Sequence, residues 1–98
     1  MDSDRIFGAL ASAHRRAVLR ALSRDALTTR ELAERFAISA PAMSRHLSVL
    51  ENAGLVASRR QGQRVLYSLV RDTVMDALIG LAADLSPAVT PKGQRDAI

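Results

Sequence analysis

The chain has 98 residues, enough for one small domain with a core that is marginal in a monomer, so self-association is expected before any motif is read. Fourteen Lys and Arg against ten Asp and Glu give a net charge of +4, with Lys92 the single lysine, which points weakly towards a polyanion. The lack of cysteine excludes disulfides, thiolate metal ligands and thiol switches; no apolar run approaches a membrane span, and the acidic start Met1-Asp2-Ser3-Asp4 is unlike a signal peptide, so the chain is expected in the cytoplasm.

Residues 3 to 11 suggest a first helix with Ile6, Phe7 and Leu10 on one side, too short to be stable alone. Ser12 can cap a second helix from Ala13 to Ser23, with Val18, Leu19 and Leu22 as its apolar stripe. Arg15, Arg16, Arg20 and Arg24 lie opposite; they could follow a DNA backbone, but solvation and pairing within the chain account for them better. Thr28-Thr29-Arg30-Glu31 matches a capping box, so a third helix should start near Thr29 and bury Leu32, Ala33 and Phe36.

Phe36-Ala37-Ile38-Ser39 forms a tight link into a fourth helix running from Ser39 to Ala53. Ser39 is a natural N-cap, Pro41 falls in the first turn, and Gly54 can adopt the left-handed conformation that ends a helix. Met43, Leu47, Leu50 and Gly54 recur at helical spacing and point inward, while Pro41, Ser44, Arg45, Ser48 and Asn52 face out. Short hydroxyls beside a guanidinium and the imidazole of His46 suit base edges and phosphates, although an ordinary solvated amphipathic helix fits this segment equally well. Two short helices joined by about four residues make a helix-turn-helix, whose second member lies in the major groove.

The next stretch favours the DNA reading. Leu55 to Arg60 and Arg64 to Leu69 are strand-like, separated by Gln61-Gly62-Gln63 with Gly62 at the turn. Val65, Tyr67 and Leu69 are expected to alternate inward, and Arg59, Arg60 and Arg64 to cluster at the tip. The fold class is therefore mainly α with a small β-hairpin, a winged helix-turn-helix whose wing can reach phosphates or a minor groove. The plainer alternative is a charged turn that discourages edge pairing.

A last helix should run from Asp72 to Leu85. Val74, Leu78, Leu81 and Leu85 form one apolar stripe and Met75, Ile79 and Ala82 a second, which is more than one small domain needs. The expected cover is the same helix of a second copy, aided by Ile6, Phe7 and Leu10, so that residues 1–85 form a DNA-binding and dimerisation domain. Residues 86–98 lack periodicity and are expected to be a mobile tail.

The sequence resembles the ArsR/SmtB family of winged-helix repressors over residues 5 to 70. The resemblance rests on Ile6 to Ala11, His14 to Leu19, Glu31-Leu32-Ala33, Ser44-Arg45-His46-Leu47, Leu50, Ala53-Gly54-Leu55-Val56, and Arg59-Arg60 through Gly62 to Tyr67-Ser68-Leu69. It implies a homodimer through the first and last helices, an inverted-repeat site in double-stranded DNA, and repression relieved by an effector. It also implies operator contacts for Ser44, Arg45 and His46, with Ala40, Pro41 and Ala42 at the helix tip. Metal-sensing members carry thiolates in the helix matching residues 29 to 36, or His and acidic ligands along the last helix. Here the first region has no sulfur and the last has Asp72, Asp76 and Asp84 without histidine, so a metal switch is disfavoured and no cofactor is expected. This resembles the metal-independent, SdpR-like branch; no residue identifies an effector.

For His46, a base or phosphate contact and packing against the wing both fit the sequence. A protein-interaction module that no longer reads DNA is compatible with the small residues Ala40, Ala42 and Ala53, but the arginines on the reading helix and wing argue against it. Enzyme chemistry has no support: there is no glycine-rich phosphate loop, and Ser44 and His46 lie two apart on one helix without facing each other.

Overall fold

Capping residues set the helix boundaries. The computed structural model describes residues 3–86 and contains α1 (Ser3–Leu10), α2 (Ala13–Leu22), β1 (Leu27–Thr28), α3 (Thr29–Phe36), α4 (Ala40–Asn52), β2 (Val56–Gln61), β3 (Arg64–Leu69) and α5 (Arg71–Leu85). Of the tail expected over residues 86–98, all but Ser86 lies outside the described residues. Ser12 and Ser39 each accept a hydrogen bond from a backbone N–H in the first turn they precede, Arg15 and Ala42 respectively, both at 3.2 Å. At α3 the capping box closes in both directions: the Glu31 N–H donates to Thr28 Oγ1 at 3.1 Å and the Thr28 N–H to Glu31 Oε1 at 2.8 Å.

The two helices of the helix-turn-helix end in the same way. After α3, Ala37 sits at φ 56 and the Ile38 N–H reaches the Ala33 carbonyl at 3.1 Å; after α4, Gly54 sits at φ 78 and the Leu55 N–H reaches the Leu50 carbonyl at 3.0 Å. Each is a Schellman end that turns the chain through a left-handed residue and drops the next apolar side chain onto the core. Ile38 is half-buried and Leu55 fully buried, so these turns fix how α4 leaves α3 and how the wing leaves α4.

The sheet has three antiparallel strands in the order β1-β3-β2, one more than the hairpin expected. β1 pairs Leu27 with Tyr67 and Thr28 with Leu66, a strand of two residues defined only by its partner and hence without a periodic signal. β2 and β3 pair from Val56↔Leu69 to Gln61↔Arg64, leaving a two-residue turn in which Gly62 takes φ 62.

The largest fully buried side chains are Leu32, Met43, Leu47, Leu50, Leu55 and Val18, so α4 donates its whole inward stripe to the core. Ala53 completes that stripe where Gly54 was expected; Gly54 is half-buried at the turn. Tyr67 and Leu69 pack against this core, whereas Val65 lines a cleft nearer the wing tip.

α5 has no buried residue. Met75, Leu78, Ile79, Leu81 and Leu85 are exposed, Ile79 by 61% and Leu85 by 72%, while Val74 is half-buried against its own protomer's core. Ile6 corrects an expectation: placed on the surface for a second copy, it is only 3% exposed, because α1 turns Ile6 and Ala9 inward. Phe7 and Leu10 remain partly exposed.

Candidate nucleic-acid interface

Burying Met43, Leu47 and Leu50 forces the opposite side of α4 outward. Ser39, Ala40, Pro41, Ser44, Arg45 and Ser48 are exposed, Ala42 is half-buried, and no acid occurs from Ser39 to Leu50. Ser58 Oγ donates to Glu51 Oε2 at 2.7 Å, tying the base of the wing to the last turn of α4. The Val70 N–H donates to the Leu55 carbonyl at 2.9 Å and closes the wing at its root.

Arg59, Arg60, Gln61, Gly62 and Arg64 are all exposed at the wing. The register sets the three arginines on two faces: Arg60 shares one with its partner Val65, while Arg59, paired with Leu66, shares the other with Arg64. Neither Arg59 nor Arg60 has a hydrogen-bond or ion-pair partner among the described residues. Arg64 lies towards the start of α3. The Glu31 carboxyl there is held below its ordinary pKa, first by its hydrogen bonds with Thr28 and further by the charges of Arg64 and Arg35.

Between wing, α3 and α4 opens a cleft of about 400 Å³, lined by Thr28, Thr29, Arg30, Ala40, Ser44, Gln63, Arg64 and Val65. It joins the outward face of α4 to the wing in one continuous surface. Arg30, on its rim, was not singled out by sequence because it reads as part of the capping-box segment.

His46 does not pack against the wing. Its ring stacks on His14 at the start of α2, with centroids 5.7 Å apart and planes 10° from parallel, and its Nδ1 accepts from Arg15 Nη1 at 3.4 Å. Accepting at Nδ1 places the proton of the neutral ring on Nε2. Partial burial lowers the His46 pKa below 6.5, and the charges of Arg15, His14 and Arg45 add to the effect. Arg15 was expected on a solvated face, but its Nε also donates to the Ala9 carbonyl at 2.7 Å and its Nη2 to the Gly8 carbonyl at 3.2 Å. It therefore caps the end of α1 and touches α4 at once. Arg16 similarly donates to the Leu10 carbonyl at 2.8 Å.

Comparison with known proteins agrees with this architecture. A helix-turn-helix domain family model matches residues 10–59, half of the chain. The transcriptional repressor SdpR of Bacillus subtilis is 34% identical over 73 residues, covering 74% of this chain and 81% of that protein. The chain belongs to the ArsR/SmtB family. A crystal structure of the ArsR family regulator RHA00566 superposes with a TM-score of 0.75 at 33% identity, covering 83% of this chain and 82% of that one. The homodimeric winged helix-turn-helix DNA-binding domain Mb0332 of Mycobacterium bovis superposes with a TM-score of 0.69 at 28% identity, covering 83% and 77%. As a member of the ArsR/SmtB family the chain is a DNA-binding transcriptional regulator and not an enzyme. Among the described residues no helix is long and apolar enough to cross a membrane, and no three His, Asp or Glu side chains are grouped to hold a metal ion.

Proposed function

We propose that the chain is a cytoplasmic homodimeric repressor that binds an imperfect inverted repeat in promoter DNA, its own promoter included, and occludes it without a metal switch. The observation that carries this reading is the outward face of α4, free of acid from Ser39 to Leu50, lying beside a wing with three exposed arginines. Two copies of α4 would enter successive major grooves about 34 Å apart. Arg45 reads a base edge, while Ser44, Ser48 and the amides at the tip near Ser39, Ala40, Pro41 and Ala42 set register on the backbone. Arg59, Arg60 and Arg64, with Gln61 and Gly62 at the turn, act on phosphates.

The homodimer is supported by the uncovered apolar face of α5 and by the homodimeric assembly of Mb0332. Its contacts are Met75, Leu78, Ile79, Leu81, Ala82 and Leu85, with Val74, Phe7 and Leu10 at the margin. Metal independence is supported by the ligand chemistry of α5, where Asp72, Asp76 and Asp84 stand without histidine or thiolate. Neutralising Arg59, Arg60 and Arg64 together should weaken binding to every duplex and flatten its salt dependence, as measured by fluorescence anisotropy. A loss confined to one sequence would instead make the wing a base reader. Zinc and EDTA should leave operator affinity unchanged; a metal-dependent change would refute the metal-free reading.

A further inference from the structure

We propose that the cleft between the start of α3, the first turns of α4 and the wing seats one phosphate of the duplex backbone, clamped between Arg30 and Arg64. This rests on the DNA-binding reading above and deepens it, because Arg30 lies outside both the reading helix and the wing.

Three separate elements meet at the cleft, and each brings hydrogen-bond donors: Thr29 and Arg30 from α3, Ser44 from α4, Gln63 and Arg64 from the wing. The remaining walls include Ala40 and Val65, small or apolar side chains that let a sugar-phosphate chain come close. Ser44 also belongs to the outward face of α4, so a phosphate held here borders the groove that Arg45 would read.

The acids nearby do not fill this role. Glu31 Oε1 is occupied by the Thr28 N–H, so that carboxylate serves the helix cap. Glu34 meets Arg30 through one contact, Nε to Oε2 at 3.4 Å, with both side chains largely exposed at 86% and 68%. A single exposed i,i+4 pair of this length is weak and screened by salt, and a phosphate diester offers Arg30 a bidentate partner in its place. Arg30 and Arg64 thus line one cleft to which all three elements bring donors, and among the described residues no acceptor is committed to them beyond that pair.

The test compares wild type with Arg30→Gln on a duplex that the wild-type protein selects from a random pool, and on a scrambled duplex, across a range of salt. Arg30 is exposed, so the variant should fold normally, which circular dichroism checks. Arg30→Gln should weaken both duplexes by a similar factor and lower the log–log salt slope by about two, one for each copy on the site. Replacing single phosphates of the selected duplex by neutral methylphosphonate should expose one position per half-site that weakens wild type more than it weakens Arg30→Gln or Arg64→Gln, each of which keeps one arm of the clamp, and that leaves the double variant unaffected. An Arg30→Gln variant with the wild-type slope and the wild-type methylphosphonate profile would overturn the clamp and leave the DNA-binding reading intact. Wild type that binds neither duplex with salt dependence would overturn both.

Discussion

Replacing Ile79 by glutamate should separate the dimer while leaving the protomer folded. Ile79 is 61% exposed on α5, and fully burying such a side chain is worth about 1.5–3 kcal/mol, so covering it in a partner contributes about 1–2 kcal/mol. A two-fold interface counts the residue twice, giving about 2–4 kcal/mol, or a dissociation constant raised about 30-fold to 1,000-fold. Two glutamates facing each other across a dry interface add to the penalty, and glutamate keeps the helix propensity of α5. Sedimentation equilibrium reads the dissociation constant, and circular dichroism at a monomeric concentration reads the helix content. An unchanged dimer would refute the assignment of this face. Loss of helix in the monomer would refute the claim that the core of Leu32, Met43, Leu47 and Leu50 holds each protomer together.

Other substitutions test separate parts of the account. Ala37→Gly removes a Cβ from a left-handed residue and should stabilise the protein by about 1 kcal/mol, seen as a higher urea midpoint; a lower midpoint would show that Ala37 carries no strain. Because His46 titrates below 6.5 in the folded chain, the unfolded chain takes up its proton more readily. That contribution to stability should be full above about pH 6.5 and fall as the solution is acidified, and His46→Gln should flatten the decline. An unchanged profile would remove His46 from the pH response. Arg45→Ala should cost about 1–3 kcal/mol of operator affinity and relax specificity at one position, whereas unchanged affinity would exclude it from readout.

Where a side chain bonds to its own neighbourhood, the structure was legible in the sequence. Ser12, Thr28 with Glu31, Ser39 and Gly54 mark helix ends through contacts spanning a few residues, and the buried stripe of α4 follows from helical spacing. Features defined by a distant partner were not. β1 exists because β3 lies beside it, and Arg15 leaves its solvated face because the carbonyls of Gly8 and Ala9 end α1 within reach. Ile6 shows the same limit: spacing put it with Phe7 and Leu10, but only the packing of α1 decides which of the three enters the core. In the candidate site, the outward residues of α4 could be read in advance, whereas Arg30 joins them only through the approach of the wing to α3.

The central claim is that α4 and the wing read promoter DNA as a symmetric pair. The most direct test titrates the purified protein against the DNA upstream of its own gene and a scrambled duplex of equal length, over a range of salt and without added metal. Tight, salt-sensitive binding that prefers the promoter, with two copies per site, is the predicted result. Equal, weak binding to both duplexes would contradict it.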